Sequence, residues 1–128
     1  MGYKFNHIHI VCRNLQEMID FFTNEFDAKL VAMKKFAGVD GASLDLSGIT
    51  INLRVSQENE NLTDPCTCKI YGYHHMGITV DDIDAEYKRL SGEGYKFSLP
   101  PKSIDETLKI AFFEGPENMT VELLQNLS

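Results

Sequence analysis

The sequence predicts an α+β fold built from two tandem βαβββ modules, each a four-stranded mixed sheet with a helix on one face. The first observation is a repeat: the segment beginning at His75 matches the segment beginning at His7 at a constant offset of 68 residues. Both segments have the period of two of a half-buried strand, followed by a helix cap. The second observation is that three more strand-like segments follow the helix in each half. We expect the two sheets to face one another and to form a cup-shaped cavity.

Composition excludes several classes of function. The chain has 128 residues and a formal net charge of −7, which argues against a protein that binds the nucleic-acid backbone. No apolar run approaches the roughly 20 residues of a membrane span, and no signal peptide is evident. Three cysteines fit a reducing compartment better than a disulfide framework. We therefore expect a cytoplasmic protein whose partner is a small-molecule substrate, not a nucleic acid or a membrane.

The first module covers about residues 1–56. Asn14 is a helix cap, Glu17 follows three residues later as in a capping box, and an apolar stripe then recurs at helical spacing. Glycine-containing turns separate the strands that follow. The predicted elements are a strand over Tyr3–Cys12, a helix over Asn14–Phe26, and strands over Ala28–Phe36, Ala42–Leu46 and Ile49–Val55.

A polar connector, about residues 57–70, leads to the second module, about residues 71–128, and the whole of 1–128 is one predicted domain. Cys66 and Cys68 in the connector form a C-x-C pair that could bind a metal or oxidise, although we interpret it as incidental. Pro100-Pro101 is expected to break a strand. The predicted elements are a strand over Tyr71–Val80, a helix over Asp82–Leu90, and strands over Tyr95–Ser98, Thr107–Phe113 and Met119–Gln125.

Strand alternation predicts a polar set on the sheet faces away from the helices. Two histidines and a glutamate among them suit one divalent metal ion (Zn, Ni, Co, Mn or Fe(II)) and leave positions open for substrate. The alternative is a set of solvated side chains on an open sheet face. His74 should point opposite to its neighbour and remain outside any site. The polar set consists of His7, His9, Asn52, Arg54, His75 and Glu122.

Three stretches carry a family resemblance. They are Asn6-His7-Ile8-His9-Ile10 before a capped helix, His74-His75-Met76-Gly77-Ile78 before Asp81-Asp82-Ile83, and Phe112-Phe113-Glu114-Gly115-Pro116-Glu117-Asn118 followed by Val121-Glu122-Leu123-Leu124. Over nearly its whole length the chain resembles the vicinal oxygen chelate superfamily, the group of glyoxalase, bleomycin resistance protein and extradiol dioxygenase. Gly115 and Asn118 depart from the family's usual ending.

The resemblance implies that His7, His75 and Glu122 are the metal ligands, with Glu122 also part of the catalytic centre. Glyoxalase- and epimerase-type members take a fourth ligand, Glu or Gln, from the fourth strand, where this chain has Asn52. Two histidines and one carboxylate resemble instead the sites of extradiol dioxygenases and fosfomycin-modifying thiol transferases. The resemblance also implies a homodimer, since members of this size usually pair modules to complete each cavity.

Three functions therefore stay open. The first is lyase- or isomerase-type chemistry through a metal-stabilised, enediolate-like anion. The second is Fe(II) extradiol-type dioxygenase or thiol transferase chemistry, and the third is metal-free binding of a small molecule such as a drug. In the enzyme hypotheses His9 is the candidate general base, because its pKa lies near neutrality. Arg54 and Asn52 are candidate substrate-binding residues; Arg54 could clamp an anionic group or pair with a neighbouring acid.

Overall fold

The computed structural model describes residues 2–63 and 71–128. The chain divides into two compact units, Met1–Thr63 and Asp64–Ser128. The division falls within the segment that the sequence indicates as a connector. Cys66 and Cys68, the C-x-C pair of the connector, lie outside the described residues.

The first unit is a four-stranded mixed sheet with one helix. Its sheet order is β1-β4-β3-β2, in which β1 runs parallel to β4 and the other neighbours are antiparallel. Helix α1 continues into a π-helical turn over Phe21–Glu25, where the Thr23 hydroxyl donates to the Ile19 carbonyl at 2.9 Å. The elements are β1 (His7–Cys12), α1 (Leu15–Asp20), β2 (Lys29–Phe36), β3 (Val39–Leu46) and β4 (Ile49–Val55).

The second unit repeats this arrangement. Its sheet order is β5-β8-β7-β6, with β5 parallel to β8. A 3₁₀ turn over Pro116–Asn118 joins the last two strands. The predicted fold class, two βαβββ modules with mixed four-stranded sheets, is confirmed. The elements are β5 (Met76–Thr79), α2 (Ile83–Gly92), β6 (Phe97–Ser103), β7 (Leu108–Glu114) and β8 (Thr120–Asn126).

Each helix begins at the cap that the sequence predicts. The Asn14 side chain accepts the Glu17 backbone N–H at 3.0 Å, and the Asp82 side chain accepts that of Ala85 at 3.1 Å. These bonds satisfy amides that the first helical turn would otherwise leave unpaired. None of the described helices has the length and apolar character needed to cross a membrane.

The core of each unit lies between the helix and its sheet. Helix α1 packs on β3 and β4, and α2 packs on β6, β7 and β8. The helices and the inner strand positions contribute side chains that are at most 3% exposed: Met18, Ile19, Ile51, Leu53, Ile83, Leu90, Val121 and Leu123. Burial of alternate residues fixes the register of β4 and β8, because a one-residue slip would expose these apolar side chains.

Two tight turns connect the antiparallel strands of the first unit. Ala37-Gly38 joins β2 to β3, and Ser47-Gly48 joins β3 to β4, with both residues of each turn at positive φ. Paired positive φ values define the type I′ geometry, which follows the right-handed twist of the flanking strands.

Several predicted strand boundaries were wrong. Strand β6 continues through Pro100-Pro101, which was expected to end it. It is an edge strand, and its pairing with β7 shifts between Leu99 and Lys102, so the prolines supply no N–H where the ladder is interrupted. The strands predicted to begin at Tyr3, Ala42 and Tyr71 begin instead at His7, Val39 and Met76.

Candidate functional site

The two parallel strand pairs place equivalent residues side by side. His9 pairs with Asn52 across β1 and β4, and Gly77 pairs with Glu122 across β5 and β8. Glu122 therefore occupies in the second unit the strand position that Asn52 occupies in the first. Both positions alternate with fully buried apolar residues and so lie on the sheet face opposite to the helix.

His75 and Glu122 come together in the second unit. The His75 Nε2–H donates to Glu122 Oε1 at 2.9 Å, and the side chains are 28% and 15% exposed. The Phe112 ring meets the His75 ring edge-on, with centroids 5.1 Å apart. A Cβ at Gly77 would lie 3.7 Å from Glu122 Oε1, an ordinary contact, and 3.0 Å from Leu124 Cδ1, which is a tight one.

His74 lies against His75 and not on the opposite face of a strand. Their Nδ1 atoms are 2.6 Å apart, so one ring nitrogen donates to the other. The strand alternation used in the prediction does not apply here, because β5 begins only at Met76. The structure thus corrects the predicted position of His74.

In the first unit, His7 has a similar neighbour. Its Nδ1–H donates to the Asn6 side-chain oxygen at 2.7 Å. Asn6 was not among the predicted site residues, although the repeat offset of 68 residues pairs it with His74. The repeat was therefore the signal in the sequence that could have identified Asn6.

His9 lies next to His7 along β1. Their ring centroids are 6.0 Å apart, and the His9 ring packs edge-on against Phe36 at 4.7 Å. Although His9 is exposed as a whole residue, burial of its ring is the largest cause that lowers its pKa, followed by the positive charge of Arg54 and by smaller effects of His7 and Lys34. A lowered pKa favours the neutral imidazole, in which one ring nitrogen can accept a proton.

Asn52 is a buried residue with an occupied oxygen. It is 8% exposed, and its Oδ1 accepts the Ser43 hydroxyl at 2.5 Å. Ser43 lies directly across from it on β3 and is equally buried. The side chain at the fourth-strand position is thus neutral and already hydrogen-bonded.

Arg54 is held by Glu60, which lies in the segment after β4. Its two terminal nitrogens donate to the two carboxylate oxygens at 2.8 and 2.7 Å, and Glu60 also accepts the Gln57 N–H at 2.9 Å. These bonds lower the pKa of Glu60 to about 2 and raise that of Arg54. Of the two alternatives for Arg54, the structure contains the ion pair.

The donor chemistry of His75 and Glu122 suits a divalent cation. Histidine nitrogen and carboxylate oxygen are a donor pair accepted by several divalent metals, and His75 and Glu122 converge at hydrogen-bond distance. Over residues 2–63 and 71–128, however, no three His, Cys, Asp or Glu side chains cluster closely enough to hold a metal ion. The structure brings His75 and Glu122 together, and their binding of a metal ion with His7 stays a prediction.

A family model decides the affiliation of the chain. The model of the glyoxalase/bleomycin resistance protein/dioxygenase superfamily matches residues 4–123. The chain belongs to this superfamily. No curated protein sequence matches it significantly.

Solved structures of similar fold agree with this membership. A glyoxalase family protein from Bacillus cereus has 20% sequence identity and a TM-score of 0.84, over 100% of this chain and 97% of that one. A glyoxalase family protein from Enterococcus faecalis has 19% identity and a TM-score of 0.76, over 94% and 96%. The fosfomycin resistance protein of Listeria monocytogenes has 16% identity and a TM-score of 0.74, over 98% and 94%. At these identities the likeness extends to the superfamily fold and no further.

Proposed function

We propose that this superfamily member is a divalent-metal-dependent enzyme in which His7, His75 and Glu122 hold the metal and a small molecule is the substrate. The observation that carries the proposal is the approach of His75 Nε2 to Glu122 Oε1 at 2.9 Å. In a protein that binds no metal, a carboxylate this close to an imidazole forms an ordinary hydrogen bond. Here both residues occupy the positions that the family resemblance assigns to ligands.

The state of Asn52 supports a site with three protein ligands. Its oxygen already accepts the Ser43 hydroxyl, and an amide is a weak, neutral donor for a divalent cation. Three protein ligands leave coordination positions for water and for substrate oxygens, as catalytic metal sites require. In this proposal Asn52 lines the substrate side of the site.

The chemistry we favour is lyase- or isomerase-type. A divalent cation bound there supplies Lewis-acid stabilisation of negative charge on substrate oxygens. The unprotonated ring nitrogen of His9 accepts the proton that leaves the substrate, and the edge-on contact with Phe36 holds the ring in place. The Glu122 carboxylate contributes charge and fixes the donor geometry.

Arg54 enters the proposal as a substrate-binding residue whose charge is shared with Glu60. Because the guanidinium already forms two hydrogen bonds to that carboxylate, an anionic substrate group must displace Glu60 or bind through the charge that remains accessible. The Arg54 side chain is 16% exposed, so access to it is restricted.

A second candidate function follows from the same three-ligand set. Extradiol-type dioxygenase or thiol transferase chemistry requires no fourth-strand carboxylate, and Asn52 supplies none. A mutant of the Listeria fosfomycin resistance protein was crystallised with Mn(II) and 1S,2S-dihydroxypropylphosphonic acid, and its fold matches this chain with a TM-score of 0.71. Mn(II) is therefore one of the metals to test. If the protein binds a small molecule without any divalent metal, the remaining hypothesis, a metal-free binding protein, is favoured.

The test is a screen for metal-dependent turnover. Substrates are 2-oxoaldehyde thiol adducts, 2-methyl acyl thioesters and catechols, each assayed with Ni, Co, Mn and Fe(II). Lyase or isomerase chemistry needs a group that accepts a proton from the substrate. Because His9→Gln removes the proposed acceptor, it should reduce kcat by a factor on the order of 10² to 10⁴, while metal content stays unchanged. A rate within twofold of the parent would show that His9 is only a wall residue. Catechol cleavage would favour the second candidate.

A further inference from the structure

A row of residues that ends in two cationic side chains crosses three strands of the first sheet. Lys34 on β2 pairs with Gly41 on β3, and Gly41 pairs with Arg54 on β4. Directly paired residues project to the same side of a sheet, here the side opposite to the helix, which also carries Asn52. Because neighbouring strands lie about 4.8 Å apart, the Cα atoms of Lys34 and Arg54 are about 10 Å apart. We call these three residues the basic row.

An aromatic ring fills the space above the glycine of the basic row. A Cβ at Gly41 would overlap the Phe36 ring, and the Lys34 ammonium nitrogen lies 5.0 Å from the centre of that ring. This cation–π contact holds Lys34 on the helix-free face of the sheet. The His9 ring packs edge-on against the same phenyl ring, with centroids 4.7 Å apart. The basic row therefore adjoins the proposed general base.

A carboxylate already occupies the Arg54 end of the basic row. Nη1 and Nη2 of Arg54 donate to the two carboxylate oxygens of Glu60 at 2.8 and 2.7 Å. Two parallel bonds of this kind match the planar guanidinium to a planar carboxylate. They are the largest cause that lowers the pKa of Glu60 to about 2, followed by the Gln57 backbone N–H, so the group is ionised at neutral pH. The guanidinium is thus oriented to receive a carboxylate.

Glu60 is the exchangeable member of this pair. It lies in the segment of residues 56–63, which follows β4. The Glu60 N–H donates to the Gln57 carbonyl, and the Leu62 N–H donates to the Glu60 carbonyl, both at 3.1 Å. These bonds lie within the segment and can move with it. Arg54, in contrast, extends from a strand that is hydrogen-bonded on both sides, by β1 and β3, so its backbone stays in place.

We infer that Arg54 and Lys34 form a subsite for a carboxylate of the substrate, and that Glu60 occupies this subsite as a built-in competitor until the substrate displaces it. The inference deepens the proposed function by naming the substrate class, and it rests on that function only in treating the bound carboxylate as part of a substrate. A net charge of −7 repels anions at long range, so a carboxylate ligand needs local cations. The exchange replaces one carboxylate on Arg54 by another, so no charge is left unpaired on the guanidinium.

The experiment titrates the protein with benzoate, without added metal and at constant ionic strength, and follows the Gly41 amide and Arg54 Nε–H signals by NMR. Benzoate carries one carboxylate, and benzamide is its neutral counterpart. In the parent, the apparent Kd exceeds the intrinsic Kd by the inverse of the fraction of molecules in which Arg54 is not paired with Glu60. With that fraction at about one tenth, Glu60→Gln should lower the apparent Kd for benzoate about tenfold. Benzamide should shift neither signal.

Three further variants separate the subsite from general charge effects. Glu58→Gln is the matched control, because it removes the same charge at an exposed position two residues earlier, and its Kd should stay within twofold of that of the parent. Arg54→Met combined with Glu60→Gln removes both members of the pair, so neither charge is left unpaired, and it should abolish benzoate binding while thermal unfolding shows a folded protein. Lys34→Met combined with Glu60→Gln should weaken binding about two- to fivefold relative to Glu60→Gln alone.

Each of four results would overturn the inference. Unchanged benzoate affinity in Glu60→Gln would show that the ion pair is structural only, and equal tightening in Glu58→Gln would trace the effect to overall charge. Binding retained without Arg54 would place the carboxylate elsewhere. Inorganic phosphate that binds Glu60→Gln more tightly than benzoate would refute the carboxylate class. The proposed function fails by a separate result, full metal content in His75→Ala, on which the benzoate titration does not depend.

Discussion

Gly41 on β3 allows an aromatic ring to pack closely beside His9. A Cβ built at this position would lie 2.6 Å from Phe36 Cε2 and closer still to the Leu53 carbonyl oxygen, whereas ordinary contacts begin at 3.4 Å. Because Phe36 Cδ2 would lie closer still, the ring would have to move by more than about 0.8 Å. The carbonyl belongs to β4, which is hydrogen-bonded on both sides by β1 and β3 and cannot retreat.

Gly41→Ala should consequently destabilise the first unit. Forcing an extra methyl group into a well-packed site costs about 1–3 kcal/mol. Replacing glycine also lowers the entropy of the unfolded chain, which offsets about 0.4–1 kcal/mol. The expected net loss in the free energy of unfolding is about 1–2 kcal/mol, with the Phe36 ring displaced from His9.

Equilibrium denaturation in urea measures this loss as a lower midpoint at unchanged slope. Gly92→Ala is the matched control, because Gly92 ends α2 with no atom within 4 Å of an added Cβ and no positive φ. That control should be neutral or slightly stabilising. A Gly41→Ala protein as stable as the parent would refute the packing that we describe between β3, β4 and Phe36.

Three further predictions concern metal, pH and assembly. Asn52→Glu should tighten divalent metal binding measured by titration, because it adds a charged oxygen donor, and weaker binding would contradict a ligand role at this position. Glu60 has its pKa lowered from about 4.5 to about 2, so its pairing with Arg54 stabilises the protein above pH 4.5 and is lost as the pH falls towards 2. The stability difference between the parent and Glu60→Gln should therefore be constant above about pH 5 and shrink in that acid range; a difference independent of pH would contradict the pairing. Sedimentation should give a homodimer of about twice 14.5 kDa, and a species of chain mass alone at micromolar concentration would contradict it.

Local chemistry predicted much of the fold. The caps at Asn14 and Asp82 follow from side-chain oxygens placed before apolar helical stripes, and β4 has the predicted bounds because its alternation is strict. Pro100-Pro101 was wrongly predicted to end the strand. A proline disrupts a strand only where the neighbouring strand must receive a hydrogen bond from the backbone N–H at that position. Whether β6 is an edge strand depends on sheet order, which the local sequence does not contain.

The candidate site could be predicted in part. Alternation and the repeat identified the polar face, including the His75–Glu122 pair. The contact between His74 and His75 was missed because strand periodicity was extended past the start of β5. The pairing of Arg54 with Glu60 depends on the path of the chain after β4, and residue types alone left it as one of two alternatives.

Metal analysis of protein purified without chelator tests the central claim most directly. We predict one divalent ion per chain in the parent and in Asn24→Leu, a control at an exposed helical position, and its loss in His75→Ala and Glu122→Gln. Added metal should raise the unfolding temperature of the parent but not of these two variants. Full metal content and undiminished stabilisation in His75→Ala would contradict the assignment of His75 and Glu122 as ligands.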